Sequence, residues 1–142
     1  MKNQFHDVLK DKMDEFVHLV YRFTKSFPRD EIYGATSQLR RASLSVILNY
    51  IEGFARRKDK VNVNFLEISY GSLQESKYLL DFALKEKYIN KSDYDKVSVI
   101  ANEIGAMLWR TLEKKSNDTW YVFCVMWLVV VDKAVILWYT IN

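Results

Sequence analysis

Residues 37–57, SQLRRASLSVILNYIEGFARR, carry Arg41, Ser45, Asn49, Glu52 and Arg56 at steps of three and four. On a helix turning about 100° per residue, these five and Gln38 fall within an arc of about 80°. Two kinds of chemistry suit such a stripe. It can form a hydrogen-bonded seam that fixes the register of neighbouring helices, or a groove that takes an anion or a nucleic acid. Glu52 stands four residues before Arg56, a good ion-pair spacing. Catalysis fits poorly, because one glutamate with no second carboxylate, histidine or nucleophile at matched spacing makes no acid–base pair.

The remaining reactive side chains add little. His6 and His18 lie about 120° apart around one helix, so they share no face and are expected at the surface or its boundary. Cys124 is the single cysteine, which excludes an intrachain disulfide and offers no metal spacing. No zinc, phosphate-loop or nucleophile motif occurs. The expectation is a protein without enzymatic activity, metal or cofactor.

A basic cluster is the stronger lead. Arg56, Arg57 and Lys58, followed by Lys60, close the stretch, and Arg40 and Arg41 open it. These six could bind RNA or DNA through phosphates, which weakens steeply with salt. Positive charge at a helix C-terminus is also favourable in its own right. The net charge of +3 permits an anionic partner without demanding one. Tyr70, Tyr78, Tyr94 and Trp109 read as core or interface aromatics, against the alternative of a base-stacking platform.

Helices must position these residues. The 142 residues suit one domain, and four glycines with one proline argue for long helices over many turns. Leu9, Met13, Phe16, Val20 and Phe23 form one apolar stripe, predicting a helix from about Gln4 to Ser26 that Pro28 stops. The second helix is expected from Tyr33–Thr36 to about Arg57. Asp59 is the expected cap of a third, with Phe65, Ser69, Ser72, Leu73, Ser76, Leu79, Leu80 and Ala83 inward. Ser92 and Asp95 match a capping box for a fourth, whose stripe is Tyr94, Val97, Ala101, Ile104, Leu108 and Thr111. Short connections make an all-α, antiparallel up-and-down four-helix bundle the expected fold.

The second helix has more apolar circumference than such a bundle covers. Leu44, Ile47, Leu48, Ile51 and Ala55 flank the polar stripe on one side. Leu39, Ala42, Val46, Tyr50 and Gly53 flank it on the other. One flank therefore wants another partner: a second subunit in a closed homo-oligomer, or the chain's own C-terminal segment. Leu44, Ile47, Leu48 and Ile51 are the expected interface.

Residues 118–142 are read as a separate hydrophobic extension to the 1–117 bundle. Trp120 to Val131 carry no charge, and Asp132 and Lys133 follow. That run falls short of the roughly 20 residues of a membrane span. Packing on the bundle or another subunit, membrane association, and an appended sequence with no native role all remain open. The N-terminal residues mix charges with no secretory pattern, and the expected location is cytoplasmic.

The order of residues carries a further signal. SFPRDEIYGATSQLRRASLSVILNYIEGFARR, residues 26–57, and FLEISYGSLQESKYLLDFA, residues 65–83, resemble the four-helix-bundle proteins encoded within intervening sequences of bacterial 23S ribosomal RNA genes. Ser26, Phe27, Pro28, Tyr33, Gly34, Thr36, Ser37, Gln38, Arg40, Arg41, Asn49, Glu52, Gly53, Gly71, Ser72 and Leu73 fall on that family's motif. Ile47 replaces its mid-helix proline, and Glu75-Ser76-Lys77 replaces its ELE segment. The resemblance spans roughly residues 5–115 and implies a small bundle that assembles into rings such as pentamers, with no enzymatic activity. The family is similar in fold to accessory proteins of diversity-generating retroelements, which partner a reverse transcriptase and bind nucleic acid. The functional expectation is an oligomeric RNA- or DNA-binding accessory protein. The alternative is a scaffold that binds another protein through the bundle or the hydrophobic extension.

Overall fold

The computed structural model describes residues 2–115, and the 118–142 extension lies outside the described residues. Helix α1 covers Lys2–Phe23, α2 Ala35–Ala55 and α3 Asp59–Lys85, and a fourth helix, α4, runs over 91–115. Among the described residues there is no strand. A 3-10 turn, Arg29–Ile32, bridges α1 and α2.

Each helix is buried along the stripe its sequence marks. Leu9, Met13, Phe16 and Val20 of α1 are fully buried, as are Leu66, Leu73 and Ala83 of α3 and Val97, Ala101, Ile104 and Leu108 of α4. Helix α2 adds Leu39, Val46 and Tyr50 to the same apolar core. Contacts across the core set the neighbours. His6 meets Tyr50 and Thr24 meets Arg40 between α1 and α2. Tyr94 meets Asp81 and Trp109 meets Tyr70 between α4 and α3. Lys12 of α1 pairs with Glu103 of α4 at 2.6 Å.

The helix ends are made in different ways. Pro28 does not itself end α1. The last turn tightens two residues earlier through Lys25 N–H to the Arg22 carbonyl and Ser26 N–H to the Phe23 carbonyl. Gly34 precedes α2 without a capping side chain, and Glu31 supplies the missing acceptor, its Oε2 taking the Ala35 N–H at 2.8 Å. Helix α3 ends in a Schellman motif: Tyr88 N–H reaches the Ala83 carbonyl at 2.8 Å and Lys87 N–H the Leu84 carbonyl at 3.1 Å. Lys87 holds the left-handed position of that motif at φ 61°.

Two expected caps are corrected. Asp59 is the first residue of α3, and Lys58 occupies the N-cap with no side-chain bond to the helix. Helix α4 starts at Lys91, one residue before Ser92. Asn90 caps it through Oδ1, which accepts the Asp93 N–H at 2.9 Å, while Asn90 Nδ2 donates to Asp93 Oδ2 at 2.9 Å. The cap expected at Ser92 therefore sits at Asn90, because asparagine competes at least as well as serine for the N-cap.

Candidate nucleic-acid interface

The polar stripe of α2 faces α3. Ser45 Oγ and Ser72 Oγ share a hydrogen bond of 2.8 Å, and Asn49 Nδ2 donates to both the carbonyl and the Oγ of Ser45 at 2.8 Å. Gln38 Nε2 donates to Glu75 one end further along. Below these, the α3 side chains bond to the α2 backbone: Ser69 Oγ donates to the Val46 carbonyl and Asn62 Nδ2 to the Gly53 carbonyl, each at 2.6 Å. Small and glycine residues let the backbones come this close. A Cβ built on Gly53 would lie 3.2 Å from Phe65 Cβ and 3.3 Å from the Asn62 carbonyl oxygen. The stripe thus bonds along a helix–helix seam, with little left over to line an open channel. Ser69, expected inward, and Asn62, not singled out by sequence, both belong to this seam. The signal for Asn62 was a polar residue on the buried side of α3.

The six basic residues do not form one patch. Arg40 is half-buried and bound inward, its Nε donating to Thr24 Oγ1 at 2.8 Å with the guanidinium 5.0 Å from the Tyr21 ring centre. Arg41 is exposed, but it stands sixteen positions from Arg57, about 24 Å along α2. Arg56 pairs with Glu52 one turn back and lies over the Phe65 ring at 5.5 Å. That leaves Arg57, Lys58 and Lys60, all exposed and making no ion pair among the described residues. They sit together at the α2–α3 turn. Lys115 of α4 comes to 3.8 Å from Asp59, which brings the end of α4, with the exposed Lys114, to the same end of the bundle.

The helix dipoles treat these cations unequally. Arg56 and Arg57 follow the C-terminus of α2, where positive charge is favourable by about 0.3–1 kcal/mol each. Lys58 and Lys60 stand at the N-terminus of α3, where positive charge is unfavourable. C-terminal capping accounts for the first pair and not for the second.

The four expected interface residues also divide. Ile47 is buried in the core of its own chain and is unavailable to a second subunit. Its place on the wheel, beside Ser43 and Tyr50, lies just inside the α1–α2 contact. Leu44 is half-buried, while Leu48 and Ile51 are 58% and 44% exposed. Ile68 of α3 is exposed as well.

The histidines hold unrelated places. His18 is exposed, 3.5 Å from Asp14. His6 Nδ1 lies 2.7 Å from the Tyr50 hydroxyl, with its ring edge-on to Phe54. Burial and the charge of Asp7 push the Tyr50 phenol well above its ordinary pKa, so it remains a neutral hydrogen-bonding partner. Among the described residues no three His, Cys, Asp or Glu side chains are grouped to hold a metal. Nor is any described helix long and apolar enough to cross a membrane.

Comparison with known proteins agrees with this geometry. Residues 7–110 match the family model described as 23S rRNA-intervening sequence protein. Among solved structures, the chain is similar to a protein of unknown function from the S23 ribosomal protein family of Bacteroides thetaiotaomicron VPI-5482. The identity is 22%, the match covers 73% of this chain and 97% of that one, and the TM-score is 0.68. At that identity the likeness speaks for the fold. No curated protein matches the chain. Neither match names a catalytic activity. The chain belongs to the 23S rRNA-intervening sequence protein family.

Proposed function

We propose that this family member is a non-enzymatic, antiparallel up-and-down bundle that binds RNA or DNA phosphates with the basic end formed at the α2–α3 turn. The observation that carries the reading is the placement of Lys58 and Lys60. Both are exposed, neither has an ion-pair partner among the described residues, and both stand at the pole of α3 where cations weaken the helix. Arg57 joins them directly, and the end of α4 lies beside them. A ring of copies repeats this array around one axis and turns weak contacts into avid ones. Leu48 and Ile51, with Leu44 at their edge, support self-association in such a ring, a pentamer being the form the family resemblance suggests. The reading takes the protein to be cytoplasmic. A reverse transcriptase is the protein partner that the retroelement analogy puts forward.

The test is binding of a labelled 20-nucleotide RNA to the full chain between 50 and 200 mM salt. Steep weakening with salt is expected, and absence of any salt-dependent binding at the lowest ionic strength overturns the reading. Light scattering of the same sample at micromolar concentration reads the assembly, and the mass of a lone subunit would remove the ring. The exposed apolar pair on α2 also favours a second reading, a scaffold that docks another protein there. Leu48→Glu would then abolish partner capture and leave RNA binding untouched.

A further inference from the structure

Helices α3 and α4 enclose an open groove of about 380 Å³ on the outside of the bundle, lined by Tyr70, Gln74, Lys77, Asn102, Ala106 and Trp109. Its floor is nearly flat, because Gly105 and Ala106 put no more than a methyl group there. Its wall is the Trp109 indole, 51% exposed although tryptophan is among the costliest residues to leave in water. Tyr70, which also lines the groove, packs against that indole with their ring centres 5.6 Å apart and the planes tilted by 49°. The amides of Gln74 and Asn102 line the rim and make no hydrogen bond among the described residues, so their donors and acceptors face outward.

We propose that this groove takes an unpaired base of a single-stranded nucleic acid, stacked on Trp109, with its edge met by Gln74 or Asn102 and its phosphate by Lys77. The inference rests on the nucleic-acid reading and adds to it the form of the ligand. A flat aromatic wall over a smooth floor, with amides at the edge, matches the way proteins hold splayed bases. Position supports the same ligand. Trp109 precedes Lys115 by six residues, about 9 Å along α4, and Lys115 lies against Asp59 between Lys58 and Lys60. A strand held at the basic end reaches the groove within a few nucleotides. Glu67 and Glu113 are exposed one turn from Tyr70 and Trp109, so the groove itself gains little from positive charge. Its contribution is stacking, which salt barely screens.

That difference gives the experiment. Full-length protein is titrated with a fluorescein-labelled 12-nucleotide single strand and with the duplex of the same sequence, at 50 and 200 mM KCl. Trp109→Ala should weaken single-strand binding about tenfold at both salts with the salt slope unchanged, and leave duplex binding unaltered. Trp109→Phe should retain most of the affinity. Ala106→Leu, which fills the floor from an exposed position and leaves the core alone, should weaken the single strand as Trp109→Ala does. Single-strand binding undiminished in Ala106→Leu and Trp109→Ala, alongside loss of binding in Arg57→Ala/Lys58→Ala, would remove the groove and leave the basic end standing. Failure of the parent protein to bind either ligand would remove both.

Discussion

The two inter-helix turns that flank α3 are built to opposite standards. The α3–α4 turn uses nearly every device that closes a helix. A Schellman motif ends α3, Asn90 and Asp93 cap α4 reciprocally, and Lys91 and Lys96 pair with Asp95 and Asp93 at 2.6 and 3.3 Å. The α2–α3 turn lacks most of them. Lys58 stands at the N-cap with no side-chain bond, and Arg57, Lys58 and Lys60 have no carboxylate partner among the described residues. One turn is arranged for stability. The other keeps charge where the helix dipole opposes it, and the proposed phosphate binding rests on that feature.

Removing charge from each turn tests this contrast most severely. Arg57→Ala/Lys58→Ala/Lys60→Ala should lower single-stranded RNA affinity by one to two orders of magnitude, and reduce the slope of log K against log salt by about 2. Lys87→Ala/Lys91→Ala/Lys96→Ala at the other turn should change neither, and equal losses from the two triple variants would erase the distinction. Asn90→Ala comes next, with an expected loss of about 1 kcal/mol of stability by urea titration and unaltered RNA binding. Lys58→Asp should act in the reverse sense. It supplies the missing cap and a favourable charge, so stability should rise by about 1 kcal/mol while RNA binding weakens. A stabilised variant that binds as well as its parent would show that Lys58 serves no ligand. The smallest effect is expected for Lys87→Gly, which relieves a left-handed lysine and should add less than about 1 kcal/mol, offset in part by the freer unfolded chain.

Much of this architecture was legible in the sequence, and the exceptions have physical causes. The α1 and α4 stripes recur at three and four, and the residues they name are buried except Phe23, Tyr94 and Thr111, which are half-buried. Serines on α3 were expected inward, and Ser69, Ser72 and Ser76 are buried at the inner face. The stripe on α2 was visible as an arc, but an arc does not say what it faces. Bonds from Ser72, Glu75, Ser69 and Asn62 fix it against α3. Ile47 was placed on an outer flank because a wheel draws every helix as if one neighbour touched it. With α1 on one side and α3 on the other, the buried arc is wide enough to take Ile47 in. The cap of α4 slipped by two residues, because two capping side chains, Asn90 and Ser92, lie close together. The division of the basic residues could not be read at all. Arg40 and Arg41 are adjacent in sequence, yet one is bound to Thr24 and the other is exposed, which depends on where α1 lies.

The bare backbone at Gly53 reaches further than the seam it belongs to. It sits one turn before Arg57, and the missing methyl sets how near the two rods stand where the cations project. Alanine there would crowd Phe65 Cβ and the Asn62 carbonyl, so α3 would have to give by a few tenths of an ångström close to the lysines. A residue with no charge of its own therefore bears on the spacing of the charged ones, and the proposed phosphate contacts inherit that spacing.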